Sequence, residues 1–287
     1  MKSGFATLVG RPNVGKSTLL NRVLGTKVSI TSDKPQTTRT QVRGVLNRRS
    51  ATQADRADAQ IVFVDTPGIH KPRTLLGERL NDTAQNAISD VDVTVMLIDA
   101  TQPLGSGDRF VAERVPLASS LLVVNKIDKA SRQQVLEQLQ AASALGFSEY
   151  FPISAHTGDG VHALVEAIVA RLPEGPQYYP DDMVTDVPEA FWVGELVREQ
   201  LLAVTHDELP HSIACVVTEW EWPRIRCEIL VERDSQKGIV IGKGGSVLKA
   251  VGTAVREQLP EGAFIELFVK VDKDWQRHAK ALERLGY

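Results

Sequence analysis

The fold of this chain is decided by one stretch, Gly10-Arg11-Pro12-Asn13-Val14-Gly15-Lys16-Ser17. It has the form GxxxxGKS and lies between an apolar run, Phe5–Val9, and a stretch of helical character, Ser17–Leu24. This strand–loop–helix setting predicts a phosphate-binding loop, because the glycines let backbone N–H groups and the helix N-terminus face phosphate oxygens. We expect Lys16 to reach the β- and γ-phosphates and Ser17 to bind Mg²⁺. Thr18 is expected to be a further nucleotide-binding residue.

Composition indicates an ordinary globular protein. The 287 residues are 43% hydrophobic and 24% charged, with a net charge of −3, so bulk electrostatics point to no partner. The two cysteines, Cys215 and Cys227, are expected to be reduced core residues. The first strand begins close to Met1, so we expect no signal peptide, and the longest apolar runs are too short to span a bilayer. These features predict a cytoplasmic protein.

Buried strands alternate with helices through the first part of the chain. This pattern predicts an α/β fold with a doubly wound, mainly parallel sheet over residues 1–173. Residues 174–188 are proline-rich and predict an extended linker, and residues 189–287 predict a second, α+β domain. Within the first domain we expect a mobile loop at Thr31–Gly44 and a solvated surface hairpin at Asn47–Asp58.

A second motif, DxxG, follows an apolar strand and comprises Asp65-Thr66-Pro67-Gly68. Asp65 is expected to hold Mg²⁺ and the Gly68 N–H to contact a γ-phosphate. The next residue is Ile69, which cannot hydrogen-bond to water, whereas Ras-like enzymes place a glutamine there to orient the attacking water. Hydrolysis must therefore use another group or be slow until a partner completes the site.

A third motif, NKxD, comprises Asn125-Lys126-Ile127-Asp128 and directly follows a strand. The Asp128 carboxylate can accept two hydrogen bonds from guanine, which adenine cannot donate, so the motif predicts selection of GTP and GDP over ATP. Asn125 is expected to brace the loop and Lys126 to cover one face of the base. Ser154-Ala155 is expected to offer a backbone N–H to the guanine O6.

Two further assignments remain open from the residues alone. Thr38 is the expected ligand of Mg²⁺ and the γ-phosphate in the Thr31–Gly44 loop, with Thr37 as its neighbour and competitor. Hydrolysis would release such a loop, which would make it a switch. Asn13 resembles an asparagine that helps to hold K⁺ in a subset of related GTPases, and simple bracing of the loop is the alternative. The expected catalytic groups are thus Lys16, Thr38, Gly68 and Asn13.

The C-terminal region carries GxxG at Gly242-Lys243-Gly244-Gly245, between two predicted helices. This is the phosphodiester clamp of KH domains, and the order α-β-β-α-α-β around it is that of the second KH type. Net charge opposes this interpretation, since residues from Asp181 onward hold 13 Lys and Arg against 19 Asp and Glu. RNA binding would depend on a local patch, Lys237, Lys243 and Lys249.

The order of these motifs, from GxxxxGKS through KPQTTR, DTPG, NKID and SA to VERDSQKGIVIGKGG, resembles the Era family of bacterial GTPases. The resemblance covers nearly the whole chain. It implies that the chain binds the 3′ end of 16S ribosomal RNA during assembly of the 30S subunit. It also implies loose association with the inner membrane. The motifs and Ile69 predict a slow, Mg²⁺-dependent GTPase, and we expect a monomer.

Two other functions remain open. The nucleotide domain could serve only as a sensing element in a pure binding module, which would show no GTP turnover. Alternatively, the chain could be a membrane-associated cell-cycle switch, although no basic amphipathic helix is evident in the sequence.

Overall fold

The computed structural model describes residues 1–50, 53–72, 74–205 and 209–287. The described residues form two compact units. The first comprises Met1–Thr31, Thr38–Pro72 and Gly77–Asp186, and the second comprises Ser32–Thr37, residues 74–76 and Val187–Tyr287. A short piece of the predicted switch loop therefore packs in the same unit as the C-terminal part of the chain.

The first unit contains a six-stranded, mainly parallel sheet in the order β2-β3-β1-β4-β5-β6, with β2 antiparallel to β3. Its strands are β1 (Lys2–Gly10), β2 (Val42–Ser50), β3 (Gln53–Asp65), β4 (Val93–Asp99), β5 (Leu121–Asn125) and β6 (Glu149–Pro152). Every residue of β4 and β5 is buried, as expected for parallel strands that are covered on both faces. This confirms the predicted fold class of the first part.

The helices of this unit are α1 (Lys16–Leu24), α2 (Leu75–Ser89), α3 (Ser106–Ala112), α4 (Arg132–Ser143) and α5 (Val161–Arg171). Side chains from α2, α3 and α4 share one apolar core with β4 and β5, whereas α1 and α5 contact β1. The parallel strands end at the same edge, where Leu8 pairs with Asp65 and Asp99 pairs with Asn125. Ligands of such sheets bind beyond this edge.

The second unit has the KH element order and a three-stranded sheet, β7-β8-β9, in which β8 is antiparallel to β7 and parallel to β9. Its elements are α6 (Glu189–Val204), α7 (Leu209–Ser212), β7 (Ala214–Glu221), β8 (Arg224–Val231), α8 (Asp234–Ile241), α9 (Ser246–Arg256), β9 (Phe264–Val271) and α10 (Ala279–Arg284). Alternate residues of β8, including Ile225, Cys227 and Ile229, are buried against α6, α8 and α9. Cys215 and Cys227 are both free.

Some predicted boundaries are wrong. The surface hairpin at Asn47–Asp58 is in part a continuation of β2 and β3, which pair as far as Ser50 and Gln53; residues 51–52 lie outside the described part. Near its C-terminal end the chain forms a 3₁₀ turn at Trp275–Arg277 followed by α10, and the two are separate because Asp274 and His278 have non-helical backbone angles.

Residues 174–186 of the predicted linker belong to the first unit, and hydrogen bonds join them to its sheet. Gln60 in β3 accepts from the backbone N–H groups of Tyr178 and Tyr179 and donates to the Tyr179 carbonyl. The Val45 N–H donates to the Val184 carbonyl at 2.7 Å. Proline-rich composition predicts an extended chain but gives no information on what that chain contacts.

One stretch of the described residues, Asp234–Arg256, is long and apolar enough to cross a membrane by length and composition alone. It is not one continuous helix, since α8 ends at Ile241, α9 begins at Ser246, and Gly242, Gly244 and Gly245 between them have positive φ. The two helices have 8 and 11 residues. Each is shorter than the ~20 residues that a transmembrane helix needs.

Candidate functional site

The phosphate-binding loop has the backbone that the glycine spacing predicts. Gly15 has φ +98° at the start of α1, and a Cβ there would lie 2.2 Å from the Asn125 amide nitrogen. No residue larger than glycine fits without displacing Asn125. That amide also donates to the Val14 carbonyl at 2.8 Å, so Asn125 braces the loop as expected.

Lys16 is buried and lies inside the curl of its own loop. Its Nζ is 3.4 Å from the Gly10 carbonyl oxygen and 3.2 Å from that of Arg11. Burial lowers the pKa of Lys16 to about 8, and the negative charge of Asp65 opposes this shift. A buried ammonium whose hydrogen bonds, among the described residues, go to main-chain carbonyl groups is well suited to an anionic ligand.

A cluster of oxygen atoms surrounds Asp65 at the end of β3. The Ser17 hydroxyl donates to Asp65 Oδ2 at 2.7 Å, and the Thr38 hydroxyl lies 3.0 Å from the Ser17 hydroxyl and 3.5 Å from Asp65 Oδ2. The Thr37 hydroxyl donates to the Lys34 carbonyl instead. Of the two adjacent threonines, only Thr38 therefore lies in the cluster.

Asp65 is completely buried, and burial raises its pKa, with Lys16 and the surrounding hydroxyls opposing the shift. Its Oδ1 has no hydrogen-bond partner among the described residues. An orphaned buried carboxylate oxygen beside two hydroxyls fits a hard divalent cation such as Mg²⁺, which prefers oxygen ligands.

The DxxG segment packs directly on the phosphate-binding loop. A Cβ on Gly68 would lie 2.7 Å from the Pro12 nitrogen, and the Ile69 N–H donates to the Gly10 carbonyl at 3.1 Å. Thr66 donates to the Leu8 carbonyl and Pro67 is buried, so both support the strand end. The Ile69 side chain is in the apolar core, which leaves it no means of orienting water.

The NKxD segment directly follows β5, as the sequence predicts. Asp128 is exposed, because it lies in a surface 3₁₀ turn, and one of its oxygens accepts from Ser154 Oγ at 2.6 Å. Water is therefore excluded from the Asp128 carboxylate only when a bound base covers it. The Ala155 N–H donates to Asn125 Oδ1 at 2.9 Å, so the expected donor to guanine O6 is already engaged.

Several contacts at this edge involve residues that the motifs do not contain. Ser29 donates to Asp65 Oδ2 at 3.0 Å, and Lys126 Nζ lies 2.6 Å from Asp99 Oδ2. Burial would raise the pKa of Asp99, but hydrogen bonds from Lys126 and Thr101 outweigh burial and hold it below its usual value. Asp99 thus fixes the Lys126 side chain.

A cavity of about 370 Å³ lies beside α1 and the segment at Ala155. Its lining combines α1 and the residues after it with the loop after β6: Thr18, Asn21, Arg22, Gly25, Thr26, Lys27, Thr31, Ala155 and His156. The cavity therefore lies between the helix that follows the phosphate-binding loop and the segment at Ala155. Arg11 is turned elsewhere, since its Nε lies 2.7 Å from the buried carboxylate of Asp108.

The GxxG segment in the second unit is a tight turn between α8 and α9. Gly242, Gly244 and Gly245 have φ of 75°, 59° and 79°. A Cβ on Gly242 would lie 2.6 Å from a Val247 methyl group, whereas nothing lies within 4 Å of a Cβ on Gly244 or Gly245. The outer half of the turn is therefore open, and Lys243 and Lys249 beside it are exposed.

A groove of about 240 Å³ runs between α9 and β9, next to this turn. It is lined by Leu248, Lys249, Gly252, Arg256, Ile265 and Leu267. Apolar walls with two cations at the rim suit a base in van der Waals contact with the aliphatic side chains, with its phosphate outside the groove. Of this set the sequence predicts only Lys249 as an RNA-binding residue, because α9 and β9 come together only in the folded chain. The predicted Lys237 lies on α8, outside this lining.

Two parts of the chain match known protein families. Residues 5–126 match the family described as 50S ribosome-binding GTPase, and residues 208–276 match the KH domain. The chain is 47% identical to GTPase Era of Mycobacterium bovis, covering 99% of this chain and 98% of that protein. It is 46% identical to GTPase Era of Mycobacterium sp. strain KMS, covering 100% and 99%.

Two solved structures are similar over 100% of this chain and 99% of theirs, each at 38% identity. One is a Tyr-to-Ala variant of Aquifex aeolicus Era bound to GDP·AlF₄⁻, with a TM-score of 0.92. The other is Era in complex with MgGDPNP and nucleotides 1506–1542 of 16S ribosomal RNA, with a TM-score of 0.93. With both nucleotide and KH motifs in place and full-length identity of this order, the chain belongs to the Era family of GTPases.

Proposed function

We propose that this chain hydrolyses GTP in a Mg²⁺-dependent reaction and binds the 3′ end of 16S ribosomal RNA during 30S subunit assembly. The observation that carries the proposal is the coexistence, in one chain, of the Ser17–Thr38–Asp65 oxygen cluster and the open GxxG turn. A relative that is similar over its whole length was solved with both MgGDPNP and a 16S segment. GTP turnover by the purified chain, with and without 30S subunits, tests the enzymatic part, and a pure binding module would show none.

We assign nucleotide binding to the residues that meet at the strand ends. Mg²⁺ would be held by Ser17, Thr38 and Asp65, and bound there it would supply positive charge to the β- and γ-phosphates. Lys16 and the backbone of the loop would hold the phosphates, and Gly68 would contact the γ-phosphate. Asn125, Lys126 and Asp128 would bind guanine, with Ser154 holding the Asp128 carboxylate in place.

We assign RNA binding to the GxxG turn and the groove between α9 and β9. Lys243 and Lys249 would pair with phosphates, and Leu248, Ile265 and Leu267 would contact bases. This local patch supports binding despite the acidic balance of the C-terminal part, because salt-dependent phosphate contacts require only nearby cations. Arg256 is added to the patch that the sequence predicted.

Gly244→Asp is expected to lower affinity for a 16S segment at least about tenfold, since it places a negative charge against RNA phosphates. Gly244 is a better position for this test than Gly242, because a side chain at Gly244 meets open space and aspartate tolerates positive φ. The matched control is Gly244→Asn, which has the same shape without the charge. Fluorescence anisotropy with labelled RNA measures both variants, and equal affinities would contradict the assignment.

K⁺ is expected to accelerate GTP turnover through Asn13. This residue has φ 65°, so Asn13→Gly removes its amide without the backbone strain that Asn13→Ala would add. We expect turnover to be faster in K⁺ than in Na⁺ for the natural chain and equal in the two salts for Asn13→Gly. If Asn13 only braces the loop, K⁺ activation will be absent from the natural chain or retained in the variant.

We also propose a division into a GTPase domain at 1–173, a linker at 174–188 and a KH domain at 189–287, acting as a monomer in the cytoplasm. Loose contact with the inner membrane is a further prediction from the family resemblance. Flotation with anionic vesicles tests it. A membrane-associated switch would float with the vesicles and keep its function in Gly244→Asp.

A further inference from the structure

Arg198, in the middle of α6, is a fully buried guanidinium. Glu195, one turn earlier, holds it through two contacts: Nε to Oε1 at 2.8 Å and Nη2 to Oε2 at 2.5 Å. Burial acts to lower the pKa of Arg198, but the negative charge of Glu195 outweighs burial and raises it, so the group is charged. A buried ion pair is weak evidence for stability, because desolvation offsets much of the attraction.

The hydrogen-bonding capacity of the Arg198–Glu195 ion pair is not fully used. Arg198 Nη1 has no hydrogen-bond partner among the described residues. Apolar side chains at these two positions would avoid that cost, since α6 otherwise packs through Val193, Leu196 and Val197. The arginine therefore needs an explanation other than the stability of α6.

A third contact of Arg198 explains why an arginine is present at this position. Arg198 Nη2 donates to the main-chain carbonyl of Thr37. Ser32–Thr37 belongs to the same compact unit as α6, so this contact lies within the second unit. The Thr37 carbonyl and the Thr38 N–H are parts of one planar peptide group, and fixing one fixes the orientation of the other. Thr38 is the residue whose hydroxyl lies 3.0 Å from Ser17 Oγ in the oxygen cluster.

We infer that Arg198 is a positioning residue for the GTP-bound state: by holding the Thr37–Thr38 peptide, it presents the Thr38 hydroxyl to the metal and γ-phosphate. The inference rests on the proposed function. GDP has no γ-phosphate to engage Thr38, so loss of Arg198 should weaken binding of GTP much more than binding of GDP. By reciprocity, GTP binding strengthens the hold of α6 on this loop segment.

Arg198→Lys tests the inference in the full-length chain. Lysine keeps a positive charge for Glu195 but cannot supply the planar fork that bonds the carboxylate and the Thr37 carbonyl together. Calorimetric titration with Mg²⁺ and either GDP or a non-hydrolysable GTP analogue should show about tenfold weaker binding of the analogue and GDP affinity within about twofold of the natural chain. A merely structural role would lower the melting temperature and leave the ratio of the two affinities unchanged.

The matched control is Glu195→Gln, which weakens the ion pair and keeps the Thr37 contact. Its ratio of GTP-analogue affinity to GDP affinity should equal that of the natural chain. If Arg198→Lys shows no cooperative melt, the double variant Glu195→Gln/Arg198→Gln leaves no unpaired buried charge and should show the same tenfold loss. An unchanged ratio in a folded Arg198 variant overturns this inference alone. Failure of the natural chain to bind either nucleotide would instead overturn the proposed function, and the inference with it.

Discussion

Asp128→Asn is expected to abolish the preference for guanine and replace it with a preference for xanthine. The carboxylate accepts from both the N1–H and the 2-amino group of guanine, and each hydrogen bond to a charged group contributes about 1.5–3 kcal/mol. Asparagine is uncharged and cannot accept from both groups, so one hydrogen bond is lost, the other is weakened, and GTP binding should weaken by about two to four orders of magnitude. Asparagine offers one acceptor and one donor, which match the N1–H and the 2-oxo group of xanthine.

The measurement is titration of the variant with GTP and xanthosine triphosphate under the same conditions. Asp90→Asn is the matched control, because Asp90 is exposed and follows α2, away from the motifs. It should bind GTP like the natural chain. If Asp128→Asn retained GTP and ignored xanthosine triphosphate, Asp128 would not be the residue that reads the base.

Lys16→Ala is expected to remove measurable GTP binding, a loss of at least about a thousandfold when a buried ammonium no longer reaches the phosphates. The apo protein should melt at the same temperature or higher. The pKa of Lys16 is lowered to about 8, which means that the fold disfavours its charged form, and alanine relieves that penalty.

The two readouts together distinguish function from folding. Lys129→Ala, at an exposed position close to NKxD, is the control and should change neither GTP affinity nor melting temperature. A Lys16→Ala protein that melted well below the natural chain would show that Lys16 stabilises the loop rather than serving an anionic ligand.

The sequence predicts the nucleotide site well because each motif is a short segment attached to the end of a buried strand. Parallel strands bring those ends to one edge, so Lys16, Asp65 and Asn125 converge once the sheet is recognised. The same reasoning places Ile69 directly after DxxG, where its apolar side chain cannot orient the attacking water. It cannot choose between Thr37 and Thr38, because both are polar and adjacent, and only the folded loop separates their hydroxyls.

Contacts between distant segments are what the sequence does not predict. Ser29 reaches Asp65 across 36 residues, Asp99 reaches Lys126 across 27, and Arg198 reaches Thr37 across 161. Ser29, Asp99 and Arg198 stand in no recognisable motif, and each looks like an ordinary polar residue in a helix, strand or loop. Their roles depend on tertiary placement, as does the lining of the groove between α9 and β9.

The central claim is that Lys16, Ser17, Asp65 and Asp128 bind one Mg²⁺-chelated guanine nucleotide. Isothermal titration of the purified chain with GTP analogue and with ATP analogue, each with Mg²⁺ and with excess EDTA, tests it most directly. We predict tight binding of the guanine analogue in Mg²⁺, much weaker binding in EDTA, and no heat from the adenine analogue. Equal binding of the two purines, or guanine binding that is indifferent to Mg²⁺, would contradict the account.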